Sequence, residues 1–189
     1  MARPKLVSDD DVLDAARRVM LRSEPFTLSD VADAVGLSRA ALIQRFENRA
    51  GLHLRVSQRG TDQLAEWLAA APPGSGIAQA WSFLDNLVNA MGDENRLPAQ
   101  LLLLRDDVID PDLNALARLR NRRIRDAIAA RLPEDGPMPP AEMASLLQAV
   151  LQGAMLQWGI DRPDDQKRFI MTQLRRAFIA LFPGQPLPG

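Results

Sequence analysis

The sequence predicts an all-α fold: three short N-terminal helices, a long fourth helix, and a larger C-terminal helical bundle, about nine helices in all. Three observations support this prediction. Apolar residues recur at helical spacing along most of the chain, β-branched residues are sparse, and Tyr is absent from the 189 residues. No stretch alternates polar and apolar residues for long, so no strand is expected.

Capping signals mark the starts of the N-terminal helices. Ser8 with Asp11, and Thr27 with Asp30, each place an acid three residues after a hydroxyl residue, which is a variant of the capping-box pattern. Ser38 is expected to cap a third helix. Helices are therefore predicted to begin near residues 8, 27 and 38.

Longer helices follow these three. A fourth helix, capped by Asn48, is predicted to run to about Ala71, and the segment APPGSG at 71–76 is the clearest break in the chain. We assign residues 1–50 to one domain and residues 51–189 to another. The later helices are expected around 81–91, 97–107, 110–131, 141–160 and 164–182.

The composition excludes several kinds of chemistry. The chain has no Cys and one His, so disulfides, thiolate zinc sites and a Cys nucleophile are ruled out. It has no glycine-rich phosphate loop and no pair of acids at a convincing spacing. We predict that the protein is not an enzyme and has no catalytic residues, metal or cofactor. We interpret His53 as a surface or phosphate-facing residue.

Localisation and charge are also constrained. No signal peptide is visible, and no segment approaches the roughly 20 apolar residues that span a bilayer. We therefore predict a cytoplasmic protein without a membrane partner.

The formal net charge is −1, so a nucleic-acid surface would need a local concentration of positive charge.

Residues 27–49 have the spacing of a helix-turn-helix. The second helix would end at Gly36, because Gly adopts the left-handed conformation of a tight turn at the lowest cost. The third helix would then start after Ser38. A short structural helix with a solvated polar face would show the same spacing, and this alternative stays open here.

The third helix has one inward and one outward side on a helical wheel of about 100° per residue. Leu42 and Phe46 point inward, whereas Ala40 and Gln44 point outward. A small residue beside a polar one suits close approach to the floor of a groove. The flanking positions are Arg39, Ile43 and Arg45.

Positive charge is concentrated in the same region. Residues 39–59 contain five Arg and one acid, Glu47. Residues 61–189 contain 13 basic and 16 acidic residues, a net charge of −3 (13 − 16). The surface expected to match this cluster is the major groove of duplex DNA with its flanking phosphates.

The segment FTLSDVADAVGLSRAALIQRFENRAGLHLRV at 26–56 resembles the DNA-binding segment of the tetracycline-repressor-like (TetR) family of bacterial regulators. Ile43 stands where that family usually has Tyr, and Arg49 where it usually has Lys. The resemblance implies phosphate contacts at these two positions; Arg49 keeps the charge, whereas Ile43 lacks the hydroxyl. The matching positions are Thr27, Val31, Ala32, Gly36, Leu37, Ser38, Leu42, Phe46 and Leu52.

The predicted function is a sequence-specific DNA-binding transcriptional regulator, a repressor that a small-molecule effector releases from a palindromic operator. Two alternatives remain: a DNA-binding protein of the same fold without an effector, and an all-α protein-interaction scaffold. The predicted DNA-binding residues are Thr27, Ser38, Arg39, Ala40, Ile43, Gln44, Arg45 and Arg49.

The helix at 141–160 is apolar on nearly every side, so it needs cover on two fronts. One front is its own bundle, and the other would be a second subunit. The resemblance implies that the last two helices pair with their copies in a homodimer. The predicted dimer-interface residues are Leu146, Val150, Gly153, Ala154, Trp158, Leu174 and Phe178.

Aromatic residues, Leu and Met at helical spacing could line a cavity for a small apolar or amphipathic effector, or could simply form the core. Arg105 could pair with an anionic ligand or, alternatively, with Asp106 and nearby acids. The predicted effector-binding residues are Trp67, Trp81, Leu84, Val88, Leu104, Arg105, Leu147, Leu151 and Met155.

Overall fold

The structure, a computed structural model, describes residues 7–22, 25–91, 97–163 and 165–187. Within these ranges it contains nine α-helices and no strand, which confirms the all-α prediction. None of these helices is both long enough and apolar enough to cross a membrane. The helices are α1 (Asp9–Met20), α2 (Leu28–Val35), α3 (Arg39–Phe46), α4 (Arg49–Ala70), α5 (Ile77–Ala90), α6 (Leu97–Ile109), α7 (Pro111–Ala129), α8 (Pro140–Asp161) and α9 (Gln166–Leu181).

The chain divides into two compact units. The first takes its residues from Met1–Leu64 and Asn95–Leu119, and the second from Ala65–Glu94 and Arg120–Gly189. Along α4, the first unit ends at Leu64 and the second begins at Ala65. The predicted domain boundary after residue 50 lies earlier in the same helix and stays a prediction. No Pro interrupts residues 49–70, so the helix continues through the predicted boundary.

In the first unit, α1, α2, α3 and the start of α4 share one apolar core. Val12, Ala16, Val31, Leu42 and Leu52 are fully buried there. Helices as short as α2 and α3 are marginal in water by themselves. Packing of their inward side chains therefore stabilises both helices of the helix-turn-helix.

The predicted capping boxes are present at the starts of α1 and α2. The Asp11 carboxylate accepts from the Ser8 N–H and the Ser8 hydroxyl accepts from the Asp11 N–H, each at 3.1 Å. The same reciprocal bonds join Thr27 and Asp30, at 2.7 and 3.2 Å. Hydrogen bonds donated by the Thr27 hydroxyl and N–H lower the pKa of Asp30, because they stabilise the carboxylate.

The second unit has its own core, in which α8 packs against α9 and α9 against α5. Leu84 of α5, Ile128 of α7, Met143 of α8 and Phe178 of α9 are fully buried. The Phe178 ring meets Trp81 edge-on, with ring centroids 5.5 Å apart, which is a favourable aromatic geometry.

Several predicted dimer-interface residues belong to this core instead. Ala154, Leu174 and Phe178 are core residues at most 3% exposed, and Val150 is half-buried against the same core. Trp158 lies outside this cluster but is 1% exposed. The prediction is wrong for the four buried residues, which have no surface left for a partner: Ala154, Trp158, Leu174 and Phe178. The sequence shows two apolar sides on α8 without showing which side packs inward.

The outward side of α8 is also apolar. Leu146, Ala149, Gly153, Leu156 and Ile160 are all exposed and follow one another at intervals of three and four residues. This spacing places them in a single row along the helix, as in the seam of a coiled coil. Ile160 is 84% exposed. The two predicted residues that are exposed, Leu146 and Gly153, both lie in this row.

Candidate nucleic-acid interface

The solvent-facing side of α3 carries the side chains that the helical wheel places outward. Arg39, Ala40, Ile43 and Gln44 are exposed, whereas Leu42 on the inward side is fully buried. Burial of Leu42 fixes the rotation of α3 about its own axis. The outward row combines a small residue with an aliphatic and two polar side chains, a set that can contact base edges in a major groove.

The turn between α2 and α3 has the geometry that the sequence predicts. Gly36 lies in the left-handed region (φ 69°, ψ 31°), and its N–H donates to the Ala32 carbonyl at the end of α2. The Ser38 hydroxyl accepts from the Ala41 N–H at 3.1 Å and so caps α3. The Ser38 side chain is exposed beside the outward row.

The connection from α3 to α4 is unusually tight. Glu47 has a positive φ (φ 66°, ψ −57°), and the Asn48 N–H donates to the Phe46 carbonyl at 2.7 Å. These dihedrals and this bond define a γ-turn of the rare, strained kind. The Asn48 side chain then accepts from the Gly51 N–H at 2.9 Å, which is the helix cap that the sequence predicts.

Arg49 is exposed in the first turn of α4, beside this connection. Its guanidinium lies 4.8 Å from the centroid of the Phe26 ring, a cation–π contact that restrains the side chain. The start of a helix attracts anions through its N–H groups and dipole. The position of Arg49 therefore suits a phosphate contact.

Arg45 and Thr27 both have partners within the first unit, and only the partner of Thr27 is predicted by the sequence. The Arg45 guanidinium donates to the Val7 carbonyl at 2.8 Å and pairs with Asp9 at 3.3 Å. The Thr27 hydroxyl and N–H both engage Asp30 in the capping box. These bonds hold α1 and α2 in place, and the DNA-binding roles of Arg45 and Thr27 stay predictions.

The positive cluster is smaller than the count of Arg indicates. The Arg59 guanidinium pairs with Asp10 at 2.6 Å and with Asp14 at 3.0 Å, both in α1. Acids distant in sequence thus neutralise Arg45 and Arg59. Three Arg of the predicted cluster are exposed: Arg39, Arg49 and Arg55.

His53 is buried, which contradicts its interpretation as a surface or phosphate-facing residue. It is 4% exposed, its ring lies edge-on to Phe26 at 5.8 Å, and its Nδ1 is 3.7 Å from Oδ2 of Asp106. Burial lowers the pKa of His53, and the nearby Asp106 charge opposes that shift. The side chain belongs to the packing of α4 against α6 within the first unit.

The predicted effector-binding residues are scattered. In the second unit, Trp67 lines one cavity of about 410 Å³ and Trp81 lines another of about 750 Å³. Leu104 and Arg105 are exposed in the first unit, and Arg105 pairs with Asp106 at 3.2 Å, the alternative that the sequence left open. Four predicted residues are buried in the core of the second unit and line neither cavity: Leu84, Val88, Leu147 and Leu151. Met155 is half-buried, packs against the same core and also lines neither cavity.

Sequence reasoning missed Arg131, which lines the smaller cavity and is 8% exposed. The one signal in the sequence is a cation flanked by the apolar residues Ala130 and Leu132, two positions before Pro133. An Arg near the end of a helix is usually solvated, so this signal is weak. No group of three or more His, Asp or Glu among the described residues is arranged to hold a metal ion.

Solved transcription regulators share this fold. A TetR transcription regulator from Haloarcula marismortui matches with a TM-score of 0.75 at 12% identity, over 91% of this chain and 96% of that chain. SmeT, the repressor of the Stenotrophomonas maltophilia multidrug efflux pump SmeDEF, matches with a TM-score of 0.66 at 19% identity, over 97% and 98%. A protein from Saccharomonospora viridis in complex with choline matches with a TM-score of 0.66 at 18% identity, over 89% and 93%.

The chain therefore has a TetR-like fold, with an N-terminal helix-turn-helix and a C-terminal helical bundle. No protein-family model matches the sequence, and no curated protein matches it significantly. Identities of 12 to 19% to these three structures establish the fold itself.

Proposed function

We propose that this chain is a sequence-specific DNA-binding transcriptional regulator. The observation that carries the proposal is the exposed row on α3, whose orientation is fixed by buried Leu42 and whose ends are fixed by Ser38 and the strained turn at Glu47. A helix that is held rigidly on one side and presents polar and small residues on the other suits insertion into a major groove.

Within the proposed interface, α3 reads bases and its neighbours hold phosphates. Gln44 can donate to and accept from an adenine edge, and Ile43 can contact a thymine methyl group. Ser38 and Arg49 lie at helix starts, where a phosphate is stabilised by the helix dipole. Arg39 and Arg55 add positive charge that attracts any duplex sequence.

A homodimer is part of the proposal. Leu146, Ala149, Gly153, Leu156 and Ile160 form an exposed apolar row on α8 that a second copy would cover. Burying one Leu or Ile side chain contributes roughly 1.5–3 kcal/mol. Pairing about a two-fold axis would also provide two reading helices for a palindromic site.

Regulation by a small-molecule effector completes the proposal, with repression as the expected sign. The second unit has a cavity of about 410 Å³, within the range of small-molecule sites. SmeT is a repressor, and the Saccharomonospora viridis protein was solved with choline. An effector would act through different affinities for the DNA-binding and released states.

The test is selection of bound sequences from random duplex DNA by the full chain, followed by fluorescence anisotropy at several salt concentrations. Gln44→Ala should weaken binding to the selected site by roughly 1–3 kcal/mol per half-site and relax preference at one base pair. Arg49→Ala should weaken all sequences alike and reduce the salt slope by about 0.9 for each phosphate that is no longer neutralised.

Arg176→Ala is the matched control for Arg49→Ala, because it removes one exposed positive charge from α9 in the second unit. We expect little change in this variant. The proposal fails if no sequence is enriched, if Arg176→Ala and Arg49→Ala weaken binding equally, or if affinity does not depend on salt. Failure with an intact dimer would favour a protein-interaction scaffold.

A further inference from the structure

One cavity in the second unit contains a buried cation without a carboxylate partner among the residues that the structure describes. The cavity has a volume of about 410 Å³ and lies where the end of α4, the start of α5 and the segment after α7 meet. Trp67 and Phe83 form its aromatic wall, with ring centroids 5.8 Å apart. Ser82 and Asn86 add polar groups, and Arg131 is the one charged residue in this lining.

The Arg131 side chain is held by the backbone. Its guanidinium donates to the carbonyls of Ala127 at 2.8 Å and Pro72 at 2.9 Å, with a longer contact to Ala71 at 3.5 Å. Its central carbon lies 4.3 Å from the centroid of the Phe83 ring. Arg131 is 8% exposed, so more than nine-tenths of the residue is removed from solvent.

Burial of this guanidinium is only partly compensated. The Ala127 carbonyl lies in the last turn of α7, where the negative end of the helix dipole favours a cation, whereas the Pro72 carbonyl lies beyond the end of α4. A guanidinium, however, has more N–H donors than these carbonyl bonds use. Burial lowers the pKa of Arg131, which reflects the cost of removing a charge from water.

The donors of Arg131 that these carbonyls do not use are not sealed inside the protein. Among the described residues, every buried side-chain nitrogen or oxygen has a hydrogen-bond partner. A guanidinium nitrogen of Arg131 that has no hydrogen-bond partner is therefore accessible to solvent. Arg131 also lines the cavity, so a ligand there would lie beside its side chain. No carboxylate of the described ranges lies within ion-pair distance to compete for the position.

We propose that this cavity binds a small organic anion, a carboxylate with a flat apolar body. The carboxylate pairs with the Arg131 guanidinium, and the body packs against Trp67 and Phe83. Ser82 and Asn86 orient the polar end by hydrogen bonds. The inference names the ligand class of the effector in the proposed function, and it rests on that function only for the regulatory consequence of binding.

The chemistry explains why an anion fits better than a neutral ligand. A hydrogen bond between charged groups is about twice as strong as one between neutral groups, and it is stronger still where water is excluded. A neutral amide of the same shape would fill the cavity and leave the guanidinium uncompensated. Discrimination by charge at constant shape is therefore the signature of the site.

The experiment measures binding of two probes, naphthalene-2-carboxylate and indole-3-acetate, to the full chain by titration calorimetry. The corresponding primary amides serve as matched neutral probes. We expect the carboxylates to bind and the amides to bind about tenfold more weakly or worse. Equal affinity of acid and amide, or no carboxylate binding up to about millimolar concentration, would overturn the proposal.

Two variants locate the site on the protein. Ala78→Leu places a larger side chain into the cavity from an exposed position of α5, so it should abolish carboxylate binding without lowering the melting temperature. Arg131→Gln should abolish the preference for acid over amide. Arg131→Gln also removes the hydrogen bonds to the Pro72 and Ala127 carbonyls and could therefore fail to fold. In that case Ala78→Leu still tests whether the probes bind in this cavity.

Arg162→Gln is the matched control for Arg131→Gln. Its guanidinium lies 4.8 Å from the centroid of the Trp158 ring, in the second unit but outside this cavity. We expect normal carboxylate binding in this variant. Full binding by Ala78→Leu, or equal loss in Arg162→Gln and Arg131→Gln, would show that the probes bind elsewhere and would overturn the site.

Operator affinity is measured separately, with and without a saturating carboxylate. If the probe binds but DNA affinity does not change, the anion site is confirmed and its role as an effector site is contradicted. Probe binding by a chain that selects no DNA sequence would confirm the anion site and contradict the proposed function. The two proposals therefore fail through different observations.

Discussion

The Nδ1 atom of His53 in α4 lies 3.7 Å from Oδ2 of Asp106 in α6, and the imidazole is almost completely buried. Burial is the largest influence on the His53 pKa and lowers it, because the charged imidazolium loses its hydration. Asp106, Asp107 and Asp110 raise the pKa, and Arg49 lowers it. The lowering dominates, so neutral His53 is the form that the fold prefers.

The first prediction concerns acid stability. A folded state that holds the His53 proton less tightly than the unfolded state loses stability as pH falls, starting near the unfolded pKa of about 6.5 and continuing down to the folded pKa. We expect the free energy of unfolding to decrease over that interval and His53→Gln to remove part of the decrease. Urea unfolding at a series of pH values and constant ionic strength measures this.

Asp106→Asn is the informative comparison for this prediction. It removes the charge that raises the pKa of His53, so the folded pKa should fall further and the loss of stability should extend to lower pH. If the wild type and His53→Gln lose stability equally over the interval, protonation of His53 is not the cause.

The second prediction concerns the strained turn at Glu47, whose φ of 66° and ψ of −57° are unfavourable for a residue with a side chain. Such a conformation costs of order 1–3 kcal/mol, whereas Gly adopts it easily but has greater freedom in the unfolded chain. We expect Glu47→Gly to stabilise the fold by up to about 1 kcal/mol, measured by thermal and urea unfolding.

Glu47→Gln separates the backbone effect from the charge effect, because it keeps the strain and removes the acid from the cluster of Arg. We expect Glu47→Gln to leave stability unchanged and to raise DNA affinity. Glu47→Gly should both stabilise the fold and raise DNA affinity. Destabilisation by Glu47→Gly would show that the side chain contributes more to the fold than its backbone strain costs.

Local signals in the sequence predicted much of the helix-turn-helix. Capping boxes, the Gly36 turn and the inward pair Leu42 and Phe46 depend on residues within one or two helical turns of each other. These features appear in the structure as the sequence indicates. Short-range hydrogen bonds and periodicity suffice to place them.

Interactions between residues far apart in sequence were not predictable in the same way. Arg59 is 45 positions from Asp14, and Arg131 is 59 positions from Pro72, yet these pairs decide which cations stay exposed and which are buried. The sequence also shows α8 as apolar all round and cannot show which side α9 covers. Such assignments require the tertiary fold.

The third prediction compares two Gly residues that have open space around them. A Cβ atom added to Gly36 or Gly60 would meet nothing within 4 Å, so only the backbone distinguishes them. Gly36 has a φ of 69°, which costs a residue with a Cβ atom roughly 1–2 kcal/mol. Gly60 lies inside α4, where Ala is favoured by about 0.5–1 kcal/mol.

We therefore expect Gly36→Ala to destabilise the chain and Gly60→Ala to stabilise it, in the same urea-unfolding assay. Gly36→Ala should also weaken DNA binding, because it disturbs the angle between α2 and α3. A stabilising Gly36→Ala would mean that the left-handed turn is absent in solution.

The last prediction concerns assembly and separates the two apolar sides of α8. Gly153 is exposed in the outward row, and a Cβ atom there would meet nothing within 4 Å in the single chain. Gly153→Leu should therefore leave the folded subunit intact and even favour the helix. If α8 packs closely against its copy, the Leu side chain should separate the subunits and weaken the dimer more than tenfold, about 1.4 kcal/mol.

Ile160→Asp tests the same row by placing a charge on a side chain that is 84% exposed in the single chain. Phe178→Ala tests the inward side, where the ring is fully buried, and should cost about 3–5 kcal/mol of stability in the subunit itself. Ala141→Leu places a side chain of the same size as Gly153→Leu at another exposed position of α8 and should have no effect on assembly.

Sedimentation velocity over a range of protein concentrations measures the association, and circular dichroism measures folding. Dimer formation that survives both Gly153→Leu and Ile160→Asp would place the interface elsewhere, and a wild-type chain that stays monomeric would leave the outward row of α8 without the partner that we propose.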